Sequence, residues 1–259
     1  MNEPDPALAH SEELQAVIRA QIGGAARRIG AAIARRLHAA GYDVALHHRA
    51  SPDDMATLVA ELEAARARST TALVAELADD TAPAHLVGET LARFGRLDAL
   101  VNNASAFFPT PFGDSTPAQF DTLFASNARA PWFLAQAAAP ALRAAGGAIV
   151  NLGDLHGEQP LRDHGPYSMA KAALLMATRA LALELAPDVR VNAVSPGAIL
   201  WPEHGKPDFE KAALLARIPL GRTGTPEDVA EAVRWLLQDA RYTTGEVIRV
   251  DGGRGATGG

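Results

Sequence analysis

Tyr167 and Lys171 stand four positions apart in Tyr167-Ser168-Met169-Ala170-Lys171, and Asp154 lies 13 residues before the tyrosine. On a helix, residues four apart project from one face a turn from each other. A phenol beside an ammonium can deliver protons, because a tyrosine with an ordinary pKa near 10 becomes more acidic when a cation stabilises its phenolate. A carboxyl group in reach of that phenol can hydrogen-bond to it, or exchange a proton with it and with a ring nitrogen of a substrate. A tyrosine and a lysine on one amphipathic helix also arise by chance, and for the pair alone chance is the better account.

A second set of residues suits an anionic ligand. Gly23-Gly24-Ala25-Ala26-Arg27-Arg28-Ile29-Gly30 leads from an expected strand into an alanine-rich helix. Small side chains there let the backbone approach a pyrophosphate, and the amides that open the helix supply donors and a positive dipole end. About 17 residues on comes Leu46-His47-His48-Arg49-Ala50-Ser51, where an enzyme that binds NAD carries an acid for the ribose. No acid stands there. Arg49 suits a 2'-phosphate, with Ser51 as a hydroxyl donor and His48 close by, so NADPH is the expected cofactor.

Such groups need a frame. Val44 to His47, Thr71 to Val74, Ala99 to Val101, Ala148 to Leu152, Val189 to Val194 and Glu246 to Val250 read as short strands. Gly30 to Ala40, Asp53 to Ala67, Thr81 to Phe94, Ala118 to Ala144, Tyr167 to Ala186 and Pro226 to Gln238 read as helices by apolar spacing. This alternation implies an α/β fold: a single-domain, Rossmann-like, doubly wound parallel sheet with helices on both faces. The first strand, Ala16 to Ile22, carries Arg19 and Gln21, whereas central parallel strands are usually apolar throughout. A helix capped by Ser11 is the competing local reading; the glycine turn and the sheet both require a strand. The domain is expected to span 16–253, after an extension at 1–15 and before a tail at 254–259.

Hydrophobic residues make up 48% and charged residues 21% of 259, ordinary for a globular chain. The net charge of -6 disfavours a general nucleic-acid binder, and the absence of cysteine excludes disulfides and thiolate metal sites. The longest apolar stretches, such as Ala135 to Leu142, are far shorter than the roughly 18 residues of a spanning helix. The opening residues lack the basic start and apolar run of a secretion signal, so a cytoplasmic setting is expected. His156 and His164 lie between Asp154 and Tyr167 without a ligand-like helical spacing, so no metal is assigned.

Together with Val101-Asn102-Asn103-Ala104, Ser126-Asn127-Ala128, Ser195-Pro196-Gly197 and Asp251-Gly252-Gly253, these residues resemble the motifs of the short-chain dehydrogenase/reductase family. The resemblance runs from Ala16 to Gly253. Three features are similar to its pteridine reductase branch: Arg28 in place of the usual second glycine, Ser105 followed by Ala106-Phe107-Phe108-Pro109-Thr110-Pro111, and Asp154 in place of the usual serine. Gly23 in place of a threonine, and Glu76 in place of an aspartate that meets the adenine, depart from the family pattern.

The resemblance implies an NADPH-dependent reductase of a dihydropterin or dihydrofolate, with Asp154, Tyr167, Lys171 and Asn127 as catalytic residues. Lys171 would also hold the nicotinamide ribose, and Asn127 would order a water. It places the cofactor against Gly24, Arg27, Arg28, Ile29, His48, Arg49, Ser51, Glu76, Leu77, Asn103, Ala104, Ser105, Tyr167, Lys171, Pro196, Gly197 and Ile199. Substrate contacts would come from Arg28 and Ser105 at the polar edge, Phe107 stacked on the ring, Asp154, Tyr167, and Trp201 at the start of a lid. A homotetramer with Ala118 to Ala144 and Tyr167 to Ala186 between subunits is implied. Carbonyl reduction on the same scaffold and a weakly catalytic NADP-binding protein stay open as alternatives.

Overall fold

The computed structural model describes residues 19–26, 28–200 and 207–257. Seven parallel strands form one sheet: β1 (Arg19–Ile22), β2 (Asp43–His48), β3 (Thr70–Val74), β4 (Ala99–Asn102), β5 (Ala148–Leu152), β6 (Arg190–Pro196) and β7 (Val247–Val250). Their order across the sheet is β3-β2-β1-β4-β5-β6-β7. The chain therefore reverses its direction of winding between β1 and β4, and a crevice opens at their carboxyl ends, the place where open α/β sheets bind ligands.

Helices α1 (Arg28–Ala39), α2 (Pro52–Ala65), α3 (Ala82–Phe94), α4 (Pro117–Phe124), α5 (Ala130–Ala145), α6 (Gly165–Leu185), α7 (Asp208–Leu215) and α8 (Pro226–Gln238) connect the strands. Successive strand residues point to opposite faces, so each face has its own core. Val101 and Val150 pack with Ile33 and Leu37 of α1 and Val233 and Leu236 of α8. Leu100 and Ile149 pack with Leu86 of α3, Leu134 and Leu142 of α5, and Leu181 of α6. β4 and β5 are buried at every residue and apolar except at Asn102 and Asn151, which pair with each other through Asn102 Nδ2 donating to Asn151 Oδ1 at 2.8 Å.

β1 is a strand despite its two polar residues, because its backbone pairs on both sides: Gln21 stands opposite Ala45 of β2 and Leu100 of β4. The rest of the expected Ala16 start, and the extension at 1–15, lie outside the described residues. α8 opens with a capping box in which Thr225 and Asp228 exchange hydrogen bonds with each other's backbone, followed by Pro226 in the first turn. Its other end is held by Arg190, whose guanidinium donates to the carbonyls of Leu236, Leu237 and Ala240.

One expectation needs correction. The single helix expected over Ala118 to Ala144 is two, α4 and α5, joined by a five-residue π turn, Ala125–Arg129. Apolar spacing continues through such a turn, so periodicity alone does not reveal it. The segment expected as a tail from 254 is, over Arg254–Thr257, a 3-10 turn packed on the domain. Gly255 donates to Asp251 Oδ2 at 2.7 Å, and its carbonyl accepts from Gln159 Nε2 at 3.0 Å.

Candidate active site

At the crevice, strand ends and the segments after them line a cleft of about 610 Å³. The turn after β1 is tight. Gly23 N donates to Val101 O at 2.9 Å and Ala25 N to His47 O at 2.8 Å, which ties the turn to β4 and β2. Gly24 has φ +60°, and a Cβ on it would lie 2.9 Å from Ala104 Cα. A Cβ on Gly30 would lie 2.1 Å from Gly24 O. Asn103 Nδ2 donates to Gly23 O and Gly24 O, each at 3.0 Å, and so fixes the turn to the end of β4. Only glycine allows this approach.

His47 completes the turn. Its Nε2 faces Ala75 O at 2.9 Å, and a carbonyl only accepts, so Nε2 carries the proton. Nδ1 is then free to accept from Gly24 N, 3.4 Å away. Burial pushes the imidazole below its ordinary pKa, which keeps it neutral in this role. The sequence placed His47 next to the cofactor segment but gave it no part; a histidine directly after the apolar run Val44-Ala45-Leu46, one residue before the cofactor segment's His48, was the available signal.

Gly24, Arg28, Ile29, His48, Arg49, Ser51, Glu76, Leu77, Asn103, Ala104, Ser105 and Phe107 all line the cleft, as does Ser126. Arg28 has φ 52°, the left-handed conformation that explains why a glycine is the usual residue there. Ser51 precedes Pro52 as the N-cap of α2. The exposed Arg49 guanidinium is 3.6 Å from the Glu76 carboxylate. Arg27 and Trp201 lie outside the described residues.

The remaining candidates form a second group where β5, β6 and α6 meet. Tyr167 OH donates to Asp154 Oδ2 at 2.6 Å, and Asp154 Oδ1 accepts from His156 N at 2.8 Å. Lys171 is 3% exposed; its Nζ donates to Leu152 O at 2.8 Å and sits 5.8 Å from the Tyr167 ring centroid. Burial pushes the ammonium down to about 8, opposed by the Asp154 charge. The expected acidification of Tyr167 is reversed: burial, then the charge of Asp154 and its hydrogen bond, hold the phenol well above its usual range. Tyr167 is thus a neutral donor, and the nearest ion to its oxygen is a carboxylate.

Asn127 sits in the π turn, fully buried, with its side chain committed to protein. Nδ2 donates to Leu123 O and Ala106 O, each at 2.9 Å, and Oδ1 accepts from Ser105 Oγ at 2.7 Å. It therefore braces the segment that carries Phe107. The Phe107 ring joins the two groups: it meets Tyr167 edge-on at 4.8 Å and stacks on His164 at 4.6 Å. That stack, which the sequence did not suggest, occupies one face of Phe107.

Pro196 ends β6, and a Cβ on Gly197 would lie 2.7 Å from Asp251 Cα, so the two motifs pack on each other. Ile199 is buried and bridges to Gly224. Leu200, at φ 68°, ends the described segment before 201.

A wound parallel sheet, a glycine turn at its switch point and a tyrosine and lysine on one helix face define a nucleotide-dependent oxidoreductase of the short-chain class. The family model described as enoyl-(acyl carrier protein) reductase matches residues 24–254. Pteridine reductase 1 of Leishmania tarentolae is 37% identical over 279 residues, covering 92% of this chain and 96% of the relative. L-xylulose reductase of Bos taurus is 37% identical over 246 residues, covering 92% and 97%. The 3-oxoacyl-(acyl-carrier-protein) reductase of Staphylococcus aureus is 34% identical over 238 residues, covering 90% and 96%. The chain belongs to the short-chain dehydrogenase/reductase family and is an oxidoreductase.

Proposed function

We propose that the chain reduces a carbon–nitrogen bond of a dihydropterin or dihydrofolate with NADPH. The observation that carries this reading is the 2.6 Å hydrogen bond from Tyr167 OH to Asp154 Oδ2, where most of the family would have a serine hydroxyl. A ketone needs a donor for its oxygen only. A reduced ring nitrogen must be protonated, and a carboxyl group coupled to a neutral phenol gives two adjacent atoms that hold and pass that proton.

The cleft suits a dinucleotide, since a side chain on Gly24 or Gly30 would fill the space into which the turn packs. The turn amides would face the pyrophosphate, Arg49 and Ser51 the 2'-phosphate, and Lys171 the nicotinamide ribose. Bound NADPH supplies a hydride. Asp154 is oriented by the His156 amide, so that its second oxygen faces Tyr167. Phe107 offers an aromatic surface to a flat heterocycle, with Ser105 and Arg28 beside it. The relatives that reduce a xylulose and an oxoacyl group support carbonyl reduction as the second reading.

Asp154→Ser separates the two. Dihydropterin turnover is expected to fall by about 10²-fold or more, the scale of a lost general acid or base, with NADPH affinity nearly unchanged and ketone reduction held or improved. Steady-state rates on dihydrobiopterin and a ketone panel, with cofactor affinity by fluorescence, decide it. Unchanged dihydropterin turnover with a fall on ketones overturns the pterin reading.

A cytoplasmic homotetramer completes the proposal. Among the described residues no helix is long and apolar enough to cross a membrane. Met169, Met176 and Leu183 recur every seventh position along α6 and are exposed, a stripe that a neighbouring subunit would cover.

A further inference from the structure

We propose that Glu76 sets the strength of cofactor discrimination by competing with the 2'-phosphate for Arg49. This inference rests on the reading of Arg49 as the phosphate partner. The sheet imposes the pairing. β2 and β3 run parallel with His48 opposite Val74, so the chain leaves the two strands side by side, with Arg49 one residue beyond the first and Glu76 two beyond the second. Ala75 N donates to His48 O at 3.3 Å and extends the pairing past the strand ends. Both side chains line the cleft.

Glu76 is anchored from below. Its Oε1 accepts from Ala78 N at 3.2 Å, which leaves Oε2 directed at the Arg49 guanidinium, 3.6 Å away. A 2'-phosphate bound at Arg49 must share that guanidinium with the carboxylate and lie close to a like charge. A ribose 2'-hydroxyl meets neither cost. Glu76 therefore weakens NADPH selectively and narrows the preference over NADH.

The site is exposed, so the effect is modest: Glu76→Gln is expected to raise the affinity for NADPH relative to NADH about 3- to 5-fold, the range of one exposed charge interaction, a ratio in which any contact of Glu76 with the adenine common to both cofactors cancels. Dissociation constants for NADPH, NADH and 2',5'-ADP, measured by calorimetry on the intact chain, read this without turnover. In an Arg49→Leu background the shared guanidinium is gone and only carboxylate–phosphate repulsion is left, so the gain on Glu76→Gln is expected to shrink, an undiminished gain overturning the competition; it should also shrink at 0.5 M salt, where the Debye length is a few ångströms. If Glu76→Gln weakens NADPH relative to NADH, the carboxylate holds Arg49 ready instead of competing for it, and the proposal is overturned. Unchanged affinity, or equal changes for both cofactors, overturns it too. A wild-type chain that binds NADH as tightly as NADPH, with Arg49→Leu harmless to both, would instead sink the cofactor reading beneath it.

Discussion

Arg28 is held at φ 52° at the mouth of α1, where a side chain is strained and glycine is not. The left-handed conformation costs an L-residue roughly 1–2 kcal/mol, of which glycine's greater unfolded entropy returns about 0.5–1 kcal/mol. Arg28→Gly is therefore expected to raise the melting temperature by roughly 1–4 °C in a chain of this size and to raise KM for a dihydropterin. Thermal melts and steady-state kinetics check both; a lower melting temperature would mean that the guanidinium stabilises the turn by more than its backbone costs. At this scale the sequence was informative about which residues gather and less so about what they do. Tyr167, Lys171 and Asp154 do converge, yet the charge nearest the phenol oxygen is the carboxylate, because Lys171 turns its ammonium to Leu152 O. Spacing along a helix specifies a shared face, whereas the local field depends on a loop from another strand.

The elements that hold the site were legible in proportion to their burial. β5 and α8 fall where apolar periodicity puts them, since every residue of the first and one face of the second are buried. α7 escaped notice for the converse reason: it is eight residues long and buries none of them. β1 was hard to read because its strand character comes from neighbours on both sides and not from its own composition. The π turn is the element whose sequence signal was weakest and whose structural role is clearest. It places Asn127 so that one side chain satisfies two carbonyls and one hydroxyl from the helix and the Phe107 segment. Asn127→Ala removes these three hydrogen bonds, the one to Leu123 O in a buried setting, at a cost of about 1–3 kcal/mol, so a fall of roughly 2–10 °C in melting temperature is expected. Turnover should fall more than cofactor affinity, because the loosened segment carries Phe107 and not the glycine turn. Equal losses in both would place the brace under the cofactor instead.

Across the whole molecule, the two cores lie against buried titratable groups on a helix and a strand, and these link stability to pH. His38 on α1 faces Ser69 Oγ at 2.7 Å, and His47 on β2 spans Ala75 O and the Gly24 amide. Both are pushed below the ordinary histidine pKa, chiefly by burial. The unfolded chain takes up a proton at each as pH falls through about 6.5, while the folded chain does not until its own lower pKa is reached. Stability from these two groups is thus fully present above about pH 6.5 and is lost progressively as pH drops from there toward the depressed folded values. Two protons set a ceiling of about 2.7 kcal/mol lost per pH unit. The exposed carboxylates with lowered pKa, such as Glu61 and Glu231, act below about pH 4.5 and leave this window clear. Urea denaturation between pH 7.5 and 5 is expected to show a midpoint that holds steady and then declines below about 6.5. The variant carrying His38→Gln and His47→Gln, less stable at neutral pH, should show a much flatter profile. Cofactor affinity should follow the same acid limb, because protonating His47 puts an N–H where Gly24 N needs an acceptor. An unchanged slope in the double variant would mean that the decline arises elsewhere and that neither histidine is held neutral by the fold.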